Sequence, residues 1–350
     1  MVDKKGELGT PVQCSGAVSA NALAECAVPL DGEFILEPVY GFVVYASDGE
    51  STRIDARGGG PAEPLGYVVD RKRFDRYLTR LALAAGVELW LKTRVVAFTR
   101  ADGLVTLHLE RFGQLETVTA KVVAGADGVM SQVGLLAGLR LAVPLRDMAS
   151  CLQYIMEGVE TSGLLEVVTG HAHAPGGYAW IFPKGEGLAE VGLGVTRTMT
   201  DHDARWHLDR FLSQSFMHER FRRARIVEVQ GGGVPLAEAS RHMASDNLIL
   251  VGDAARQVNP ITGGGIHMAL RSGRLAGECL GACLPRARQF TREVLQGYPD
   301  RWQAEMGWAL AELYQMKTAI FSQAEQRLQD QALYESLSRY FQPDSKFKRV

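Results

Sequence analysis

The 350 residues predict an α/β (α+β) fold: a unit of strands and helices, interrupted by an antiparallel sheet and closed by a helical C-terminus. Three observations carry this expectation. Asn247-Leu-Ile-Leu-Val-Gly-Asp253, a Pro/Gly loop and Ile266-His-Met-Ala-Leu270 read as a buried strand (Leu248 to Val251), an acid at its end, a loop and a helix. From about Met148 to Gly233 the pattern changes to long strand-like runs. Beyond Gly281 it is mostly helical.

Taken in order, Met1 to Lys5 reads as the end of a strand closed by Asp3. Phe34 to Ala46 and Ser51 to Ala56 alternate like strands, and Gly58 to Pro61 marks a loop. Arg71 to Ala85 predicts an amphipathic helix, with Phe74, Tyr77, Leu78, Leu81 and Ala85 at helical spacing and Asp70 as N-cap. Gly86 closes it, and Val87 to Leu91 returns as a strand. Strand-like runs follow at Arg94 to Arg100, Val105 to Glu110 and Val118 to Ala124. The inserted region offers strands at Cys151–Val159, Tyr178–Pro183 and Leu188–Val195, with a helix near His202 to Gln214. Near the end, Met306, Leu310, Leu313, Tyr314, Lys317 and Phe321 share one helix face, better explained by packing than by lipid contact. Residues 1–147 and 234–284 are thus two parts of one Rossmann-like domain; 148–233 form an inserted β-sheet domain, and 285–350 a helical region.

Composition narrows the function. Hydrophobic content of 46% with 22% charge is ordinary for a soluble enzyme. A formal net charge of −2, with no basic run before Lys346-Phe-Lys-Arg349, argues against nucleic acid as partner. No apolar run approaches the roughly 20 residues that span a bilayer, and no signal-peptide pattern opens the chain. The five cysteines, at positions 14, 26, 151, 279 and 283, include no Cys-x-x-Cys pair, which disfavours a disulfide framework or zinc ribbon and makes a reducing cytoplasm the default. Cys279 and Cys283, one helical turn apart, read as packing residues. His171-Ala-His173 lacks further ligands at convincing spacing, so no metal site is expected.

Gly263-Gly264-Gly265 lets the backbone approach a ligand closely, because no Cβ intervenes. The following helix offers free N–H groups and the positive end of its dipole to an anion or electron-rich ring. Asp253 is placed to accept a hydrogen bond from a sugar hydroxyl. His267 either approaches the same ligand or caps the helix. A second strand, Val122-Val-Ala-Gly-Ala-Asp-Gly-Val-Met-Ser131, ends in Asp127-Gly128.

Together these two segments resemble the flavin-contacting motifs of FAD enzymes built like aromatic hydroxylases and geranylgeranyl reductases. Three further segments resemble the geranylgeranyl reductase family in particular. They are Pro11-Val-Gln-Cys14 with its neighbours, Val69-Asp-Arg-Lys-Arg-Phe-Asp75, and Pro175-Gly-Gly-Tyr-Ala-Trp-Ile-Phe-Pro183, which matches a Pro-x-x-Tyr-x-Trp-x-Phe-Pro motif at every fixed position. The resemblance runs from residue 1 to about 310. It implies an FAD-binding domain of the aromatic-hydroxylase type and hydrogenation of isolated C=C bonds in polyprenyl chains. Carried over by position, Asp3, Cys14, Ser15, Ala17, Arg71, Val95, Asp253, Gly265 and Ile266 would contact FAD, with Asp127, Gly128, Gly263 and Gly264 beside them. Ser15 departs from the family's usual Gly or Ala. Tyr178, Trp180 and Phe182 would line a prenyl tunnel, and Cys14 could donate a proton or shape the pocket.

The chemistry agrees. An unactivated trisubstituted alkene has no carbonyl to polarise, so it must be held against the flavin in a dry apolar slot. Tertiary carbocation character then develops, and aromatic faces stabilise it. Alternate residues of a strand share a face, so Tyr178, Trp180 and Phe182 would point one way. A polyprenyl lipid or diphosphate substrate implies peripheral contact with a membrane, at the cytoplasmic face. NADPH, ferredoxin and a deazaflavin are open as electron donor, and an electron-donor protein is a candidate partner.

One departure is visible. In a dinucleotide-binding βαβ unit a Gly-x-Gly-x-x-Gly turn lies about 20 residues before the acid that Asp3 represents, yet two residues precede Asp3. The expectation is a shortened form of a reductase. The alternatives are a monooxygenase of the aromatic-hydroxylase group and a flavin-free truncated paralogue.

Overall fold

The computed structural model describes residues 1–30, 32–57, 62–139, 142–342 and 344–347; the expected loop at 58–61 lies outside them. The molecule is a mixed α/β structure with a helical C-terminus, as the sequence predicts. Its largest sheet has seven strands, in the order Arg225–Pro235, Met148–Glu157, Leu188–Thr196, Tyr178–Gly185, Leu165–Thr169, Gly41–Tyr45, Ser51–Asp55. All neighbours are antiparallel except Leu165–Thr169 with Gly41–Tyr45. The sheet therefore draws two strands from before residue 147, and it runs on to Pro235.

Three strand expectations are corrected. Phe34 to Ala46 is not one strand: Ile35–Val39 joins Gly66–Val69 in a three-stranded sheet, while Gly41–Tyr45 joins the large one. Alternation along the sequence cannot register such a change of partner. Val118 to Ala124 likewise divides between the end of Gln114–Ala120, in the meander Thr93–Ala101, Leu104–Arg111, Gln114–Ala120, and the short strand Val123–Gly125. Val87 to Leu91 makes one parallel bridge among the described residues, Val2 to Trp90, in place of a strand. There the Asp3 carboxylate accepts the Lys5 N–H at 2.8 Å.

The predicted helix is Arg71–Ala84, and the Asp70 side chain caps it by accepting the Arg73 N–H. Its apolar stripe is buried early, where Phe34 meets Phe74 and Tyr77 at ring separations of 5.1 Å, and surfaces by Leu81. In the inserted region Ala204–Gln214 is capped by Asp203 and packs Leu208 and Phe211 onto one face of the large sheet. Two strands carry no clear sequence signal. Leu165–Thr169 buries Glu166 in mid-run, and Arg225–Pro235 contains Gly231, Gly232 and Gly233, poor strand formers.

The C-terminal stripe is a packed face: Met306, Leu310, Leu313 and Lys317 are buried, and Phe321 packs against the same core. Cys279 and Cys283 pack there too. The buried Lys317 ammonium contacts Asp147 Oδ1 at 2.8 Å and also donates to the Leu236 carbonyl, tying the helical region to the points where the chain enters and leaves the inserted sheet, side by side at Met148 and Pro235. A second ion pair locks the sheet itself. Glu166, fully buried, receives both Arg220 amine groups at 2.7 and 2.8 Å and the Ser162 N–H at 3.0 Å. Burial alone would raise its carboxyl, but Arg220 and Ser162 outweigh burial and hold it below its ordinary value. A depressed folded-state pKa gives stability that is present above the unfolded value, about 4.3, and is lost as pH falls through the folded value. Denaturant unfolding of wild type and Glu166→Gln should differ most near neutrality and converge on acidification below pH about 4.

Candidate active site

Two sequence motifs converge because their strands are neighbours. Val123–Gly125 and Leu248–Leu250 pair in parallel, Gly125 opposite Leu250, so Asp127 and Asp253 leave the sheet at the same edge. Their carboxylates are used differently. Asp127 Oδ2 accepts the Val133 N–H at 2.7 Å and so holds the start of the helix Gln132–Leu136, with Gly128 in a left-handed turn at φ +82°. The half-buried Asp253 carboxylate accepts no hydrogen bond among the described residues. Burial raises its pKa, and Arg71 offsets part of that rise.

Asn259, fully buried, builds the loop beyond Asp253. Its Oδ1 accepts the N–H groups of Ile261 and Thr262, and its Nδ2 donates to the Tyr340 hydroxyl at 3.0 Å. Gly263 takes φ +68°, a conformation that favours glycine. Gly265 begins the helix Ile266–Cys283, which has no side-chain cap, so the N–H groups of its first turn stay open. A Cβ on Gly265 would sit 3.2 Å from Asp253 Oδ1, so the bare backbone and the carboxylate form one cradle. His267 does not cap. Its ring lies against Gly264, burial pushes it down to about 4, and its Nε2 has no partner among the described residues.

The segment around Cys14 closes another side. Gly16 is at φ +82°, where a Cβ would come within 2.3 Å of the Val69 carbonyl, and its own carbonyl accepts the Val69 N–H. Arg71, at the head of its helix, hydrogen-bonds Asp75 at 3.0 Å, with Cys14 near enough to act on its charge. Burial works against its charge, yet Cys14 and Asp75 together raise it above the ordinary range. Ala17 starts the strand beside Val68, and Ile266 packs on the small core of Val18, Val69 and Phe74. Val95 lies at an irregularity of its strand and packs on the main core; Asp3 sits at the Trp90 bridge.

Facing this is one surface of the seven-stranded sheet. Directly opposed residues on neighbouring strands share a face. The pairs Trp180–Gly192, Phe182–Glu190, Gln153–Gly192, Cys151–Gly194, Cys151–Gly232 and Gln153–Gln230 therefore belong to it. Tyr178, Trp180 and Phe182 do point one way, with successive ring separations of 5.9 and 6.5 Å. Gly192 makes room for the indole: a Cβ there would sit 2.5 Å from the Trp180 ring. The Tyr178 hydroxyl donates to the Thr262 carbonyl, and Gln13 lies over Gly232, so the 259–265 loop and the Cys14 segment both dock on this face. Burial, with a smaller contribution from Cys14, pushes the Cys151 thiol up to about 12; burial also raises the Tyr178 phenol. The middle of the face carries aromatic, thiol and amide groups, and its charged groups, Lys184, Glu190 and Glu228, lie toward one end.

Asn259, Cys151, Gln153, Lys184 and Glu190 escaped the sequence reading. Cys151 was visible as a cysteine in a strand, but its place opposite Gly194 and Gly232 depends on register. A separate cleft of about 980 Å³ shares only Pro175 with these motifs, and its lining mixes Asp48, Glu50 and Asp330 with Arg210, Arg327 and His171, favouring no one charge.

The fold is that of flavin-dependent enzymes. It is similar to p-nitrophenol 4-monooxygenase from Pseudomonas putida DLL-E4, with a TM-score of 0.73 at 18% identity, covering 99% of this chain and 88% of that one. Residues 147–234 match the family model for the geranylgeranyl reductase catalytic domain. The chain is 38% identical over 320 residues to the digeranylgeranylglycerophospholipid reductase of Methanothrix thermoacetophila, covering 91% of this chain and 80% of that protein. It is 35% identical over 344 residues to digeranylgeranylglycerophospholipid reductase 2 of Methanopyrus kandleri, covering 97% and 84%. A geranylgeranyl bacteriochlorophyll reductase-like structure from Thermoplasma acidophilum superposes with a TM-score of 0.90 at 28% identity, covering all of this chain and 87% of that one. The chain belongs to the geranylgeranyl reductase family.

Proposed function

We propose that this protein is an FAD-dependent reductase that saturates C=C bonds of geranylgeranyl chains on glycerophospholipids. The observation that carries the reading is the aromatic face of Tyr178, Trp180 and Phe182 set against the Asp253–Gly265 cradle. The cradle suits a dinucleotide: an acceptor with no partner of its own for a ribityl hydroxyl, and an uncapped helix start for electron-rich or anionic atoms. Arg71 adds a cation, and the bare backbone at Gly263 and Gly265 permits close approach. Asp3, Ser15, Ala17, Val95 and Ile266 complete the proposed contacts, with Asp127–Gly128 shaping the edge from which Asp253 emerges.

When bound and reduced, FAD supplies a hydride. This chain's own residues do the rest. The sheet face excludes water, so the alkene leaves the lipid phase for an equally dry slot. One alkene carbon gains a proton and the other the hydride. The rings of Trp180 and Phe182 stabilise the positive charge that develops at the tertiary carbon. The proton is assigned to Cys14 Sγ, which the Gly16 N–H orients and which lies within the influence of the Arg71 cation. Tyr178 is anchored to Thr262 and shapes the slot.

The lipid substrate brings the protein to a membrane surface, which we place at the cytoplasmic face. No helix among the described residues is long and apolar enough to cross a membrane. The test is mass spectrometry of a geranylgeranyl glycerophospholipid incubated with FAD-loaded protein and dithionite. Stepwise gain of hydrogen pairs is expected. Unchanged lipid, with NADPH oxidised by oxygen in the presence of phenols, would replace the reading with a monooxygenase.

A further inference from the structure

Lys184, partly buried, and Glu190, fully buried, form an ion pair that neither the motifs nor the proposed chemistry uses. Glu190 is fully buried, opposite Phe182, and its Oε2 lies 2.9 Å from Lys184 Nζ. Its Oε1 accepts the Trp180 indole N–H at 3.1 Å. Lys184 Nζ also donates to the Ser15 carbonyl at 3.0 Å, the residue after Cys14. One chain of contacts thus runs from the Trp180 ring through Glu190 and Lys184 to the Cys14 segment. The segment also touches the sheet where Gln13 lies over Gly232, and on its other side Gly16 pairs with Val69. Burying a carboxylate in an apolar face is costly, and burial does raise the Glu190 carboxyl against the pull of Lys184. A merely structural sheet would be served as well by an apolar pair.

The geometry points to Lys184 and Glu190 as positioning residues that set the Cys14 sulfur and the Trp180 ring at a fixed separation across the slot. This rests on the reductase reading above. A misplacement of about 1 Å at a reacting centre can cost up to about a hundredfold in rate. The pair therefore acts on turnover more than on lipid binding.

The test compares wild type, Lys184→Arg and the double variant Lys184→Met with Glu190→Gln, which leaves no charge stranded and is checked for folding by circular dichroism. Two readouts are taken: the iodoacetamide alkylation rate of Cys14 in apoprotein, resolved by peptide mass spectrometry, and kcat and KM for the geranylgeranyl glycerophospholipid. In the double variant the Cys14 alkylation rate should change severalfold and kcat fall about tenfold, with KM within about twofold. Lys184→Arg should recover most of both. An unchanged alkylation rate in a folded variant overturns the inference. So does a changed rate with unaltered kcat, or a loss confined to KM. If wild type itself leaves the lipid unreduced, the reductase reading fails, and alkylation alone decides whether the pair holds Cys14.

Discussion

Replacing Asp253 with alanine should weaken FAD binding by about ten- to a hundredfold, the range expected for losing a hydrogen bond to a charged acceptor. The carboxylate has no protein donor among the described residues, so none of these compensates for or competes with the ligand. It lies beside Gly265, where a Cβ would meet its Oδ1 at 3.2 Å, and Arg71 offsets part of the rise that burial imposes on its carboxyl. Asp253→Asn should lose less, because an acceptor oxygen remains. Titration of flavin fluorescence measures both. If Asp253→Ala binds FAD within twofold of wild type, the ribityl contact assigned to Asp253 is wrong.

The largest effect on stability is expected at Lys317. Its ammonium and the Asp147 carboxylate are each about 7% exposed and contact at 2.8 Å, with the Tyr314 hydroxyl on the second carboxylate oxygen at 3.1 Å. Burial, only partly opposed by Asp147, lowers the Lys317 pKa. Lys317→Ala strands Asp147 and the Leu236 carbonyl, and breaking a buried pair in this way costs about 3–5 kcal/mol. Removing both charges, with Lys317→Met and Asp147→Leu, should restore most of the loss, because well-packed apolar groups replace such pairs at little cost. Denaturant melts of the three proteins check this. Equal destabilisation in the single and double variants would mean that packing, not charge, is at stake.

Much of the aromatic face was legible because it depends on period alone. In a strand Tyr178, Trp180 and Phe182 must share a side, whatever the partners. The loop from Asp253 to Ile266 was legible for a similar reason: strand end, acid, glycines and helix start are consecutive. What could not be read depends on partners distant in sequence. The break at Tyr40 between two sheets, the pairing of Cys151 with Gly194 and Gly232, and the reach of Lys184 to Ser15 are set by register and docking. Asp127 shows the same limit within a motif. Its place beside the cradle follows from the sequence, but the bond from its carboxylate to the Val133 N–H follows only from how the chain turns after Gly128.

The most direct test is a single turnover without oxygen. The protein is loaded with FAD, photoreduced, separated from excess reductant and mixed with a geranylgeranyl glycerophospholipid. The account predicts that the flavin absorption band returns at a rate that rises with lipid concentration, and that one hydrogen pair enters the prenyl chain for each flavin reoxidised. A reduced flavin that stays reduced in the presence of the lipid, yet reoxidises at once on admitting air, would contradict it.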